Sequence, residues 1–302
     1  MKQELIKKFN GNIFSDIQLS KYSWFNLGGP AELFFKPENN KQLVEFLKDI
    51  KKSKLKITIL GAGSNTLIRD DGIKGVVIKL GSAFSKIELV DYDTIEVGAA
   101  TLDRKISSFA KDNSIGNLEF LSCIPGSIGG AVIMNSGCYG NDISKVLTSI
   151  KIIDLKNCKE RQIDREEINF FYRGSNLPSD LIITSVKLKG KISDKETIEK
   201  KQSKMIEEKK LSQPSQIKTC GSTFKNFNNK KKAWQLIKET GCDQFFEGDA
   251  TISKKHCNFF VNNGNAKSSD IEKLINKVKQ TVIEKTGVNL ELEIKIIGEK
   301  KI

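Results

Sequence analysis

Three glycine-rich stretches and a few isolated polar side chains carry the chemistry that this sequence offers. The stretches are NLGGPAE (Asn26 to Glu32), LGAGSN (Leu60 to Asn65) and IPGSIGGA (Ile124 to Ala131). Gly63, Ser64 and Asn65, placed directly after a short apolar run, offer unhindered backbone N–H groups and two short polar side chains, a means of wrapping a phosphate without lysine. Ser127, between Gly126 and Gly129, repeats the device. Neither stretch is a dinucleotide fingerprint, because G-x-G-x-x-G needs a glycine where Thr66 stands, and no G-x-x-x-x-G-K-[ST] loop occurs. A tight turn explains either stretch alone, whereas two of them together suit a pyrophosphate-bearing cofactor. The second half adds Arg173 in FFYRGS, Ser222 in CGSTFKN and Glu293 in the terminal LELEIKII. By residue type alone the ordinary readings are favoured: an ion-pairing arginine, a turn serine and a carboxylate on a wet strand face. No G-x-S-x-G elbow supports a serine hydrolase.

These residues need elements to position them. NKQLVEFLKDIKKS (Asn40 to Ser53) and DRKISSFAKDN (Asp103 to Asn113) have helical spacing of apolar residues. Lys56 to Leu60, Gly75 to Leu80, Thr94 to Ala99, Ser149 to Leu155 and Asp180 to Leu188 read as strands. The polar, lysine-rich segment from Ile192 to Gln216 starts as a helix and is ended by Pro214, so a domain boundary is expected near residue 200. Beyond it, Ala233 to Gly241 reads as a helix. A second helix should open with Ser269 and Glu272 at capping-box spacing and close at Gly287. The chain then ends in a strand, Leu290 to Ile297, with Glu291, Glu293 and Lys295 on the face opposite Leu290, Leu292, Ile294 and Ile296.

Composition narrows the chemistry further. The 302 residues carry 50 Lys+Arg against 37 Asp+Glu, a net charge of +13. Only five of the basic residues are arginine (Arg69, Arg104, Arg161, Arg165 and Arg173), and the lysines are scattered, which argues for a solvated surface over a nucleic-acid footprint. A single histidine, His256, excludes two-His zinc sites, the two-His-one-carboxylate iron triad and multi-His copper sites. Six cysteines without a C-x-x-C pair read as reduced thiols. The N-terminus lacks an unbroken apolar core, so no signal peptide or membrane span is expected and the chain is assigned to the cytoplasm. The longest uncharged stretch, Phe120 to Asn141, holds Pro125 and five glycines and suits a buried loop against a ligand.

Taken in order, LGAGSNTLIRDDGIKGVVI, LEFLSCIPGSIGGAVIMNSGCYG, FFYRGS, CGSTFKN, SKKHCNFFVN and LELEIKIIG resemble the UDP-N-acetylenolpyruvoylglucosamine reductase (MurB) family, from about residue 20 to residue 298. The resemblance implies an α+β fold: a two-part FAD-binding module of the vanillyl-alcohol-oxidase/PCMH type (1–80 and 81–200) and a C-terminal α/β substrate-binding domain (201–302). It implies FAD as cofactor, NADPH as hydride-donating cosubstrate, and reduction of UDP-N-acetylglucosamine enolpyruvate to UDP-N-acetylmuramate in peptidoglycan precursor synthesis. Under it, Arg173 is the catalytic arginine, Ser222 the proton donor and Glu293 the catalytic glutamate. FAD contacts fall on Gly61, Ala62, Gly63, Ser64 and Asn65 and on Pro125, Gly126, Ser127, Gly129, Gly130 and Ala131. Tyr172, Lys225 and Asn226 line the UDP-sugar pocket, and His256 has a structural or pocket-lining role.

The expected partner is the UDP-sugar alone, with neither nucleic acid nor membrane, and the enzyme is expected to be a monomer. The short passage from Arg173 to the strand DLIITSVKL places the chain with the shorter, loop-less members, while Asp249 and Phe227 depart from the family pattern. Two other functions fit the residues less fully: an FAD-dependent oxidase of the same superfamily with another substrate, and a basic nucleic-acid-binding protein.

Overall fold

A computed structural model describes residues 2–53, 55–226 and 231–300. The chain forms two compact units, each built from several segments: 1–14, 34–62 and 76–209 make the first, and 15–33, 63–75 and 210–302 the second.

In the first unit the helix Asn40–Lys51 begins where the Asn39 side chain accepts the Gln42 N–H at 2.9 Å, and it buries Leu43, Phe46, Leu47 and Ile50. Phe46 stacks on Phe35 with ring centroids 3.8 Å apart, and Phe9 meets both rings edge-on. Ile57–Ile59 pairs in parallel with the stretch from Val76 to Ile78. A five-stranded antiparallel sheet follows, in the spatial order Glu160–Asp164, Leu147–Asp154, Leu181–Lys189, Thr94–Gly98, Ile87–Asp91. Its apolar face, with Ile95, Val97, Ile150, Ile152, Val186 and Leu188, shares one core with Ile106 and Ala110 of the helix Asp103–Asp112. The stretch expected as a loop, Phe120 to Asn141, contains a six-residue helix, Ile128–Ile133. Ile128, Ala131 and Val132 face inward, and their burial in the same core draws the segment into helical form.

In the second unit the helix Ser268–Thr286 buries Ile271, Leu274, Ile275, Val278 and Val282, a single stripe at helical spacing, and ends at Gly287 with φ 72°. Its start differs from the expected capping box. Asp70 accepts the N–H groups of Ser268 and Ser269 at 2.8 and 2.9 Å, and Asp270 accepts that of Lys267 at 2.9 Å. Glu272 instead pairs with Arg69, at 2.9 and 3.1 Å. A carboxylate distant in sequence thus does the capping, which spacing along one segment cannot reveal.

Phe246–Glu247, Ala250–Ile252 and Phe260–Asn262 form an antiparallel sheet. The terminal strand is shorter than expected: Lys295–Ile297 pairs in parallel with Thr66–Ile68, and before it Leu292 bridges Phe224 in antiparallel fashion. The segment changes partners midway, so no one ladder runs its length. Its alternation holds, with Leu290 and Ile294 buried and Glu291 and Lys295 exposed.

The ring cluster predicts that Phe46→Ala lowers stability by about 3–5 kcal/mol, the range for emptying a buried aromatic site. Urea unfolding followed by far-UV circular dichroism measures it, and a loss under about 1 kcal/mol would show that the cluster is not a core.

Candidate active site

The sequence-predicted residues fall in both units. Gly61, Ala62, Pro125 to Ala131, Tyr172 and Arg173 belong to the first, whereas Gly63, Ser64, Asn65, Ser222, Lys225, Asn226, His256 and Glu293 belong to the second.

In the first unit the two glycine loops meet at Ser127: a Cβ built on Gly61 would lie 3.1 Å from Ser127 Oγ. The amides of Ile128 and Gly129 are held by the carbonyls of Thr101 and Ala99, at 3.0 Å each. Among the described residues no hydrogen bond engages the amides of Gly126 and Ser127 or the Ser127 hydroxyl. Segment 61–65 shows a sharper version of this pattern. The carbonyl of Gly61 receives Lys79 Nζ at 2.6 Å, that of Gly63 the Trp24 N–H at 3.0 Å, and that of Asn65 the Lys295 N–H at 2.9 Å. The N–H groups of Gly61, Ala62, Gly63, Ser64 and Asn65 donate to no acceptor among the described residues. With its carbonyls held by protein and its amides open, the loop presents the partial positive charge that an anion requires. Gly63 cannot be another residue, since φ is 70° and a Cβ would sit 2.0 Å from the Tyr22 carbonyl oxygen. Within the first unit, the unengaged Gly126 and Ser127 amides and Ser127 hydroxyl are donors of the kind that a phosphate group takes.

Arg173 occupies the two-residue turn between Phe170–Phe171 and Gly174–Ser175. Its φ of 58° is left-handed, an uncommon setting for arginine, and the Phe171 ring packs over Gly174, where a Cβ would lie 2.2 Å from it and push it aside. The guanidinium donates to the Gly137 carbonyl at 3.0 Å and lies over the Tyr172 ring, 5.0 Å from its centroid. Asn135 fixes the hairpin by donating to the Phe171 carbonyl at 3.2 Å while accepting the Ser144 N–H at 3.0 Å. Arg173, Tyr172, Asn135, Asp142 and Ser144 border a cavity of about 300 Å³.

In the second unit Ser222 and Glu293 are brought together through their backbone. Ser222 bridges Phe259, the next residue Thr223 donates its N–H to the Asn258 carbonyl at 2.8 Å, and Glu293 N–H donates to the Thr223 carbonyl at 2.9 Å. Asn65 Nδ2 donates to the Glu293 carbonyl at 3.0 Å, so the glycine loop, the serine segment and the glutamate segment are tied at one point. Gly221, with φ 78°, supplies the turn before the serine. No described hydrogen bond occupies the half-buried Ser222 hydroxyl.

Lys225 lies 3.5 Å from Glu291, and Asn226 Oδ1 accepts the Ala233 N–H at 3.1 Å, so this side chain helps start a helix. Asp249 takes the Asn265 N–H on its carboxylate at 3.2 Å and the Asn263 N–H on its carbonyl at 3.0 Å, which gives this departure a local structural use. Phe227 lies outside the described residues.

Asn258 was not singled out by sequence reasoning, yet it positions the serine segment. Fully buried, it accepts the Phe224 N–H at 2.9 Å and donates to the Phe224 carbonyl at 2.8 Å, acting as a substitute strand partner. Its place two residues after His256 was the available signal. The His256 Nδ1 accepts the Asn258 N–H at 3.3 Å, and the ring packs edge-on against Phe259. Burial lowers its proton affinity below the ordinary value, opposed by a backbone hydrogen bond and assisted by nearby Lys232.

Two family models match the chain: an FAD binding domain over residues 31–160 and the UDP-N-acetylenolpyruvoylglucosamine reductase C-terminal domain over residues 213–297. Fold and site thus define an FAD-dependent oxidoreductase. The UDP-N-acetylenolpyruvoylglucosamine reductase of Pelagibacter ubique (strain HTCC1062) is 48% identical, covering 98% of this chain and 100% of the relative. That of Orientia tsutsugamushi (strain Ikeda) is 42% identical, with 98% of each chain covered. The crystal structure of the Thermus caldophilus enzyme (MurB) matches with a TM-score of 0.82 at 32% identity, over 94% of this chain and 98% of that one. The chain belongs to the UDP-N-acetylenolpyruvoylglucosamine reductase family. It is an enzyme of peptidoglycan synthesis that uses FAD and takes its hydride from NADPH.

Two outcomes follow from the serine segment. Asn258→Ala leaves two buried backbone groups of Phe224 unpaired, at about 1–3 kcal/mol each, so the urea midpoint should fall accordingly; an unchanged midpoint would remove the positioning role. His256 titrates lower when folded than unfolded, so its share of stability is complete above the ordinary value of 6.5 and is lost as pH falls toward the lowered folded value. Urea unfolding across that window should show this slope in the wild-type chain and not in His256→Gln.

Proposed function

We propose that Arg173, Ser222 and Glu293 carry the reduction of the enolpyruvyl UDP-sugar. Bound FAD supplies the hydride carrier between NADPH and the substrate. Within the protein, Arg173 offers a permanent cation where negative charge develops, at the carbon next to the substrate carboxylate. Ser222 Oγ holds the proton that this carbon takes up. Serine is a weak acid, so the step needs a strongly basic carbon and close placement, and a backbone pinned on both sides with an unengaged hydroxyl favours that placement. This is the observation that carries the reading. Glu293 donates a hydrogen bond only when protonated, a form that an approaching substrate carboxylate favours.

Gly61, Ala62, Gly63, Ser64 and Asn65 hold the FAD diphosphate through their open amides. Pro125, Gly126, Ser127, Gly129, Gly130 and Ala131 shape the second loop, and its bonds come from the Gly126 and Ser127 amides and the Ser127 hydroxyl. Tyr172, Lys225 and Asn226 contact the sugar nucleotide, the last through its amide nitrogen, since its oxygen caps a helix. We place the enzyme in the cytoplasm as a monomer, with no nucleic-acid or membrane partner. Scattered lysines support the first absence, and among the described residues no helix is long and apolar enough to cross a membrane.

The test is Ser222→Ala in stopped flow with the two half-reactions separated. Reduction of FAD by NADPH should keep its rate, while reoxidation by the enolpyruvyl sugar falls by about 10²–10⁴, the range for loss of a general acid. An equal fall in both half-reactions would show that Ser222 serves the fold or FAD and not proton delivery.

A further inference from the structure

Lys79 is half-buried in the first unit, directly after the stretch from Val76 to Ile78 that pairs in parallel with Ile57–Ile59. Leu60 extends this pairing by giving its N–H to the Ile78 carbonyl at 2.9 Å, which sets Lys79 beside Gly61. On the other side the Lys79 N–H goes to the Phe35 carbonyl at 3.0 Å, so the backbone of this lysine is fixed. Its side chain then crosses to the glycine loop, where Nζ donates to the Gly61 carbonyl at 2.6 Å. Charged donors make short bonds of this kind. Holding an ammonium here has a cost, since burial and then the charge of Lys36 lower the proton affinity of Lys79 below the ordinary lysine value.

The contact acts on the peptide it touches. No described peptide bond is cis, and in a planar trans peptide the C=O and the N–H point in opposite directions. Pinning the Gly61 carbonyl on Lys79 therefore turns the Ala62 N–H away from the lysine, and that N–H donates to no acceptor among the described residues. A charged donor on the carbonyl also strengthens the amide at the far end of the same peptide, because linked hydrogen bonds polarise one another. Lys209 provides the contrast. Its Nζ donates to the Cys123 carbonyl at 2.6 Å, but the N–H of that peptide, on Ile124, is already given to the Leu121 carbonyl at 3.2 Å.

We propose that Lys79 is a positioning residue for FAD: it fixes and polarises the Gly61–Ala62 peptide so that the Ala62 N–H is presented to the cofactor diphosphate. The inference rests on the reading that segment 61–65 holds the diphosphate, and it adds a side chain to a site otherwise made of backbone. Lys79 touches the peptide and acts through it. Gly61 also lies against the second loop, where a Cβ on it would be 3.1 Å from Ser127 Oγ, so the same bond sets the spacing of the two loops.

The experiment uses FAD-loaded wild-type, Lys79→Met, Lys79→Gln and Gly63→Ala enzymes. Free FAD is measured in the ultrafiltrate across a dilution series, and the bound cofactor is observed by phosphorus NMR at saturating FAD. Lys79 borders a cavity of about 650 Å³ with Lys36 and Ser82, so methionine has room, and Lys79→Gln gives the reading if the apolar variant does not fold. Both Lys79 variants should release FAD at concentrations about 10- to 100-fold higher than wild type, the range for losing one hydrogen bond from a charged group. The diphosphate resonances should shift while the visible absorption of the bound flavin ring stays unchanged, a pattern that general loosening of the fold does not produce. Wild-type retention of FAD in the Lys79 variants, or weaker retention with unmoved phosphorus resonances, overturns the assignment. Gly63→Ala strikes the loop itself, because its Cβ meets the Tyr22 carbonyl. Loss of FAD in that variant with none in the Lys79 variants removes the lysine's role alone, whereas undiminished binding in Gly63→Ala removes the loop from the FAD site.

Discussion

The backbone of one residue, Glu293, joins the segments of the second unit that carry Asn65 and Ser222. The Glu293 N–H is given to Thr223 and its carbonyl receives Asn65, so segments 228 residues apart in sequence are joined at a single residue. Neighbouring bonds, from Lys225 N–H to the Glu291 carbonyl and from Lys295 N–H to the Asn65 carbonyl, make the junction a short continuous lattice. Closing so long a loop costs entropy, but that cost grows only slowly with length, and the burial of Phe224, Leu290 and Ile294 around the junction offsets it. Placement of Ser222 follows from this lattice. Among the described residues its side chain makes no hydrogen bond, which leaves the hydroxyl available.

The glycine loop obeys the same division of labour between backbone and ligand. Holding alternate carbonyls with Lys79, Trp24 and Lys295 orients the peptide planes without consuming an amide. Five amides left without protein acceptors would be costly in a buried segment, so a loop of this kind stays partly exposed or meets an anion. Gly61 is exposed and Ala62, Ser64 and Asn65 are half-buried, while Gly63 is buried, so most of the segment has access to solvent. The tight approach of Gly63 to Tyr22 is then the local sterics that a fixed loop demands.

Much of this was legible in the sequence because it is local. Apolar periodicity marks the helices Asn40–Lys51 and Asp103–Asp112 to within a residue or two, and glycine marks the end of Ser268–Thr286. What periodicity could not supply were partners from elsewhere in the chain. Asp70 rather than a capping box begins the last long helix, and the Asn258 amide stands in for a strand beside Phe224. Both are single polar residues whose spacing carries no signal until the fold brings them to an exposed backbone group. The alternation at Leu290 to Ile297 correctly separated Glu293 from the buried face. It could not show that the strand exchanges Phe224 for Thr66–Ile68 midway, since alternation is indifferent to the partner.

The scarcity of arginine in a lysine-rich chain also acquires a physical reason. At the Tyr172–Arg173 turn the side chain fills two demands: it lies over an aromatic ring and it donates to the Gly137 carbonyl. A planar guanidinium has donors on several edges and a weakly hydrated face that stacks, so these two contacts leave its charge intact. An ammonium is a compact, strongly hydrated point that gains little over a ring and would give up its solvation to reach the carbonyl. Lysine suffices wherever this chain needs only surface charge. The left-handed backbone at Arg173 is the conformation that the second position of this two-residue turn takes, and it costs a residue with a β-carbon more than it would cost glycine.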